Sequence, residues 1–119
     1  MIEFVGDMLR SPEAQVDAYG WAAVLLAHFA LGLIGTVLLC LPFRPWTAAR
    51  VVIGLYLVGW EGLQLALYGS AWADSAVDGA AVAFGAIVGA ALWLHAIGPL
   101  VVALALLVVL GADGVRRRR

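Results

Sequence analysis

Three long runs of apolar residues, each almost free of charge, dominate the chain. No charged side chain occurs at residues 18–43, Glu61 is the only one at residues 51–73, and none occurs at residues 79–112. A helix needs about 20 apolar residues to cross a hydrocarbon core about 30 Å thick. Because the runs are continuous and not alternating, they predict transmembrane helices instead of the strands of a barrel.

The predicted architecture is one all-α domain, a polytopic bundle of transmembrane helices. A surface segment covers residues 1–19, and the spans cover about residues 21–41, 49–68 and 79–112. The third run is longer than one crossing requires, and Gly98-Pro99 lies near its middle. It predicts either one long helix kinked at the proline or two helices that form a hairpin. Three crossings are favoured, with four as the alternative.

Composition strengthens this prediction. Hydrophobic residues make up 65% of the 119 positions and charged residues only 13%, far from the averages of soluble domains. A water-soluble domain of this size has too little interior to hide so much apolar surface, so the lipid bilayer is the predicted partner.

The arginines give the predicted orientation. Arg44 and Arg50 bracket the first short loop, and Arg116, Arg117, Arg118 and Arg119 end the chain in a basic tail at residues 113–119. Short flanks that carry arginine prefer the cytoplasmic side of a membrane. With three crossings, the pattern predicts a protein of the cell (inner) membrane with its N-terminus outside and its C-terminus in the cytoplasm.

One polar patch interrupts the apolar runs. Glu61 lies near the middle of the second run, where a carboxylate costs roughly 2.5–3.5 kcal/mol. Gln64 follows three residues later on the same helix face, and His28 reaches a similar depth in the first run. Tyr56 precedes Glu61 by five residues and points well round an α-helix, so it falls outside the patch. The patch either joins helices by hydrogen bonds or binds a lipid head group, a proton or another polar ligand.

The third run begins with two acids and two glycines. Asp74 and Asp78 precede it and are predicted to lie at the outer mouth of the bundle. Gly85 and Gly89 are four residues apart, a spacing that lets another helix approach closely. These glycines are predicted to serve helix packing.

Catalysis, metal binding and cofactor binding have no support in the sequence. The chain has two histidines, one cysteine and scattered carboxylates, and they show no metal-ligand spacing. There is no nucleophile–base pair and no phosphate loop. The arginine tail is too short to predict nucleic-acid binding. We therefore expect neither an enzyme nor a metal or cofactor protein.

The polar residues and glycines follow an order that resembles a known family. Glu61 and Gln64, a turn, then Asp78, Gly85 and Gly89 are similar to the core motif of the VanZ-like membrane proteins. That motif has an asparagine where this chain has Val82, and an arginine in the turn that this chain lacks. The resemblance covers about 30 residues and implies a polytopic membrane protein connected with glycopeptide resistance and envelope lipids.

A second resemblance concerns architecture alone. Three spans and a short basic tail are similar to the small phage holins, which oligomerise and permeabilise the membrane. The glycine pairs Gly32/Gly35 and Gly85/Gly89 would suit such self-association, and the arginine tail would bind anionic lipids. A homo-oligomeric pore is therefore the alternative function, and no motif identifies a ligand.

Overall fold

The computed structural model describes residues 17–68 and 72–119. These residues form a bundle of four helical segments, which we call arms. Helix α1 spans Ala18–Leu39. The second arm is continuous and has three parts: α2 at Pro45–Leu55, a π-helical turn at Tyr56–Glu61 and α3 at Gly62–Tyr68. The last two arms are α4, Trp72–Leu94, and α5, Ile97–Arg117. All regular elements of the described residues are helices, which confirms the all-α prediction.

The first two helices begin at residues that favour a helix N-terminus, an aspartate cap and a proline. The Asp17 side chain accepts a hydrogen bond of 2.7 Å from the Gly20 backbone N–H and so caps α1. Pro45 occupies the first turn of α2, where a missing N–H costs nothing. This arm therefore starts four residues earlier than the predicted span at 49–68.

The third apolar run is broken at His95 and Ala96. His95 has a backbone φ of 56°. Its N–H bonds the Leu92 carbonyl at 3.3 Å, and the Ala96 N–H bonds the Ala91 carbonyl at 2.8 Å. This is the pattern of a Schellman motif, which ends a helix. Pro99 lies in the first turn of α5, where its missing N–H needs no partner, so it starts a helix instead of kinking one.

Two helices result in place of one long kinked helix, and they pack against each other. Val77, Ala81 and Phe84 of α4 meet Leu107 and Leu110 of α5. All four arms are long and apolar enough to cross a membrane by length and composition. The hairpin that the sequence left as an alternative is the arrangement that the structure has.

The two ends of the described chain lie at the same end of the bundle. The Arg118 guanidinium carbon lies 4.7 Å from the centroid of the Trp21 ring, and Gly114 packs against the same ring. We call this end, where α1 begins and α5 ends, the terminal end. The opposite end, with residues 40–44 and the His95–Ala96 turn, is the loop end. The charge-based prediction set the N- and C-termini on opposite sides of the membrane, and the orientation of the termini stays a prediction.

Helix α4 is the centre of the bundle. In its apolar window 56% of the residues are buried, against 11% in α5. Alanines at positions 81, 86, 90 and 91 are fully buried, and small side chains of this kind let neighbouring helices approach. Large aliphatic side chains instead cover the outside; Leu26, Val58 and Val108 are exposed. That distribution fits a bundle surrounded by lipid and not by water.

The contact between α1 and α4 is the closest in the bundle, and glycines make it. A methyl group added to Gly32 would overlap the Val82 carbonyl oxygen, and one added to Gly85 would overlap the Phe29 carbonyl oxygen. One added to Gly89 would lie 3.0 Å from the Leu33 carbonyl oxygen. The two helices run parallel, and their backbones touch because these positions have no side chain.

Candidate functional site

Five buried polar side chains from three arms converge inside the bundle. We call this set the polar core: His28 of α1, Tyr56 and Glu61 of the π-turn, Gln64 of α3 and Asp78 of α4. His28 is 1% exposed, Glu61 3%, Gln64 4%, Tyr56 5% and Asp78 7%. At about 1.5 Å per residue, His28 lies about 15 Å along α1 from its first residue. The polar core is therefore deep within the apolar part of the bundle.

The π-turn brings Tyr56 and Glu61 together. In an α-helix, residues five apart point about 140° away from each other. A π-turn has one more residue per hydrogen-bonded ring, so the fifth residue on returns to nearly the same face. The Tyr56 hydroxyl donates a hydrogen bond of 2.5 Å to Glu61 Oε1. Tyr56 is thus a member of the site that helical-wheel geometry excluded, and the sequence carries no signal that marks the turn.

His28 of α1 lies close to both Tyr56 and Asp78. Its Nδ1 lies 2.8 Å from the Val24 carbonyl oxygen, and since a carbonyl only accepts, Nδ1 carries the proton. The ring stands edge-to-face with the Tyr56 ring at a centroid distance of 5.7 Å. Asp78 Oδ1 lies 3.8 Å from Nδ1. Tyr56 therefore lies between His28 and Glu61, and His28 has the backbone partner that a purely structural histidine needs.

Three buried polar atoms have no hydrogen-bond partner among the described residues. They are Glu61 Oε2, Trp60 Nε1 and Thr36 Oγ1. Thr36 lies in a separate place, against Gly89. Glu61 Oε2 and Trp60 Nε1 belong to adjacent residues in the π-turn. Buried polar groups are nearly always paired, so Glu61 Oε2 can accept from a further donor and Trp60 Nε1 can donate to a further acceptor.

An apolar groove runs along the outside of the bundle to the π-turn. It has a volume of about 440 Å³ and lies between α1 and the second arm, with one residue of α4 as its floor. The residues that line it are Leu31, Gly35, Leu38, Leu39, Val52, Leu55, Tyr56, Trp60 and Val82. Tyr56 is shared by the groove and the polar core. A ligand chain in the groove would therefore end beside the groups that surround Glu61.

The structure assembles part of the predicted patch and rearranges the rest. Glu61, Gln64 and His28 lie in the polar core, as the sequence placed them. Asp78 also lies there, buried instead of open at a mouth, because α4 begins at Trp72 and Asp78 is nearly two turns inside it. The side chain of Asp74 lies outside the described residues, as does most of the surface segment at residues 1–19.

The arginines lie at both ends of the bundle. Arg44 and Arg50 belong to the loop end. Arg116, Arg117, Arg118 and Arg119 belong to the terminal end, where Asp113 pairs with Arg116 and Arg117 at 3.6 Å and 2.8 Å. In the part of the chain that the structure describes, no three histidine, cysteine, aspartate or glutamate side chains are grouped as a metal site would require.

Comparison with protein-family models, with curated proteins and with solved structures finds no match. The VanZ-like and holin-like resemblances therefore stay predictions. The polar core is interpreted from its own contacts, burial and unpaired atoms.

Proposed function

We propose that this chain is a small integral membrane protein that binds an amphiphilic lipid of the cell envelope, with a polar group of the ligand at the polar core and its apolar chain in the adjoining groove. It acts by binding and not by catalysis. The observation that carries the proposal is Glu61 Oε2, a carboxyl oxygen that is buried and has no partner among the described residues.

The unpaired oxygen favours ligand binding over a purely structural role for Glu61. A residue that only joined helices would have its polar atoms satisfied by those helices, as Glu61 Oε1 is by Tyr56. A buried polar atom left alone costs about 1–3 kcal/mol, and more when it is charged. A hydroxyl, amine or amide N–H of a ligand would remove that cost. Trp60 Nε1, also unpaired, would donate to an acceptor on the same ligand.

The resemblance to the VanZ-like proteins agrees with this proposal at three positions. Glu61, Gln64 and Asp78 of the motif are all buried. The motif's asparagine position differs, since Val82 packs its backbone against Gly32 and offers no polar side chain. His28 and Tyr56 supply polar groups to the polar core. We infer an envelope-lipid role of the kind that the family implies, with its own set of ligand contacts.

The pore-forming alternative lacks a supporting observation. Its sequence argument depends on free glycine faces for self-association. Gly32 and Gly85 face each other's helices inside one copy of the chain, and Gly35 faces Val52. Gly32 and Gly85 thus pack inside one copy of the chain, and they do not support self-association.

Substitution of Glu61 tests the proposal. We expect Glu61→Gln to lower the amount of lipid that co-purifies with the protein by about tenfold or more, since one bond to an ionisable group is worth about 1.5–3 kcal/mol. Glutamine keeps the size of the side chain and replaces an acceptor oxygen by an amide donor. Native mass spectrometry of protein released from detergent micelles would identify the lipid and its occupancy.

A matched control for this experiment is Thr36→Val. It removes another buried, unpaired oxygen that lies away from the polar core, so we expect wild-type occupancy. Unchanged lipid in the Glu61→Gln protein, or a wild-type protein that carries no lipid at all, would show that the cluster only joins helices.

The orientation follows from the four-helix arrangement and the arginines. Among the described residues, four arginines belong to the terminal end and two to the loop end. We propose that the terminal end faces the cytoplasm. Green fluorescent protein fused after Arg119 should then fluoresce, and alkaline phosphatase inserted between His95 and Ala96 should be active. An inactive phosphatase at the inserted position together with an active one at the C-terminus would reverse the orientation.

A further inference from the structure

A second cavity lies at the terminal end, and its chemistry differs from that of the polar core. It has a volume of about 390 Å³ and lies between the start of α1 and the end of α5. Its lower wall is apolar, with Trp21, Val77 and Leu110. Its upper wall is polar, with Asp113, Arg117 and Arg118, and Gly114 completes it. Volumes of this size accommodate small ligands.

We propose that this cavity binds the phosphate head group of an anionic phospholipid. The lower wall belongs to the apolar part of the bundle and the upper wall to the charged tail, so the cavity crosses the level at which a bilayer changes from hydrocarbon to head groups. A phospholipid has the same change along its length. Its phosphate would lie at the arginines and its glycerol region beside Leu110 and Val77.

The arginines of the cavity are held in position. The Arg118 guanidinium covers the Trp21 ring at 4.7 Å, and its Nη1 donates to the Gly114 carbonyl oxygen at 3.2 Å. Trp21 is buried, and Gly114 leaves room for its ring where any side chain would collide with it. The guanidinium is therefore ordered before a ligand arrives, which reduces the entropy that binding costs.

Arg117 supplies the donors for the phosphate. Its Nε donates to Asp113 Oδ2 at 2.8 Å, and its two terminal nitrogens carry further N–H groups that can donate to an anion. Asp113, the one acid among the described residues that line the cavity, has its other oxygen 3.6 Å from Arg116. The carboxylate is thus shared between two arginines, and the net charge of the tail stays positive. An anion is the ligand that this arrangement selects.

Two neighbouring arginines provide a matched test. Arg116 and Arg117 are both exposed and both pair with Asp113, but only Arg117 lines the cavity. The protein would be placed in nanodiscs of phosphatidylcholine with a minor fraction of phosphatidylglycerol. Native mass spectrometry would then measure how strongly phosphatidylglycerol is enriched among the lipids that stay bound.

The expected result is a difference between the two variants. Arg117→Gln should lower the enrichment about tenfold or more, the loss expected for a charge-assisted hydrogen bond to phosphate, while Arg116→Gln should leave it within about twofold of wild type. Equal losses would show that the tail attracts anionic lipid without a site, and no enrichment in the wild type would overturn the proposal. Displacement of the lipid by millimolar inorganic phosphate would assign the cavity to free anions instead. Because Glu61 is not involved, the Glu61→Gln protein should behave like wild type.

Discussion

Replacing Gly85 by alanine is expected to lower the free energy of unfolding by about 3 kcal/mol or more. The added methyl group would overlap the Phe29 carbonyl oxygen and lie 2.8 Å from the Leu33 N. Both are backbone atoms of α1, so no side-chain rotation can relieve the overlap, and the helices have to move apart. Overpacked cores usually cost about 1–3 kcal/mol, and this contact lies at the top of that range because it separates two helices along their length.

Gly54→Ala is the control for this prediction. Gly54 is also inside a helix, but nothing lies within 4 Å of an added methyl group there. Alanine is the better helix former by up to about 1 kcal/mol, so stability should stay the same or rise. Unfolding by sodium dodecyl sulfate in mixed micelles, followed by circular dichroism, would compare the two. Equal stability of both variants would mean that α1 and α4 are not in backbone contact.

Removing the Tyr56 hydroxyl is also expected to lower the free energy of unfolding. In Tyr56→Phe, Glu61 loses its only hydrogen bond among the described residues and keeps a carboxyl group inside the bundle. An unsatisfied buried group of this kind costs about 1–3 kcal/mol, and about 3–5 kcal/mol if it keeps its charge. Tyr19→Phe, at a tyrosine that is 85% exposed, should change stability by less than about 0.5 kcal/mol.

A double substitution gives this prediction a sharper form. Glu61→Leu alone leaves the Tyr56 hydroxyl unpaired, but Tyr56→Phe combined with Glu61→Leu removes both polar groups. Replacing both partners by apolar groups is often neutral or stabilising. The double variant should therefore be at least as stable as either single variant in the same micelle titration. Simply additive losses would mean that the two side chains do not interact across the π-turn.

The fold class follows directly from the sequence because the cost of burying charge is large and local. A long apolar run without charge is most stable in contact with lipid, so helices within all three runs could be predicted. The break at His95 could not. A helix usually ends on glycine in the left-handed conformation, and here a histidine adopts it, at a cost of about 1–2 kcal/mol that tertiary packing repays.

The relative positions of the polar residues were predictable where the π-turn does not lie between them and unpredictable where it does. Glu61 and Gln64 are three residues apart, and both are buried in the polar core. Tyr56 was missed because the wheel that relates it to Glu61 assumes α-helix throughout. Asp78 was placed at a mouth because no sequence rule states how far a helix extends before its apolar run begins.

The π-turn also affects how this chain can be aligned with others. It contains one residue more than an α-helix of the same length. A relative without the π-turn would therefore be one residue shorter in the middle of a membrane span. An ungapped alignment would then set every residue on one side of Tyr56–Glu61 out of step by about 100° of helix rotation. Comparisons made on either side of the turn separately would keep Glu61 and Gln64 opposite their true counterparts.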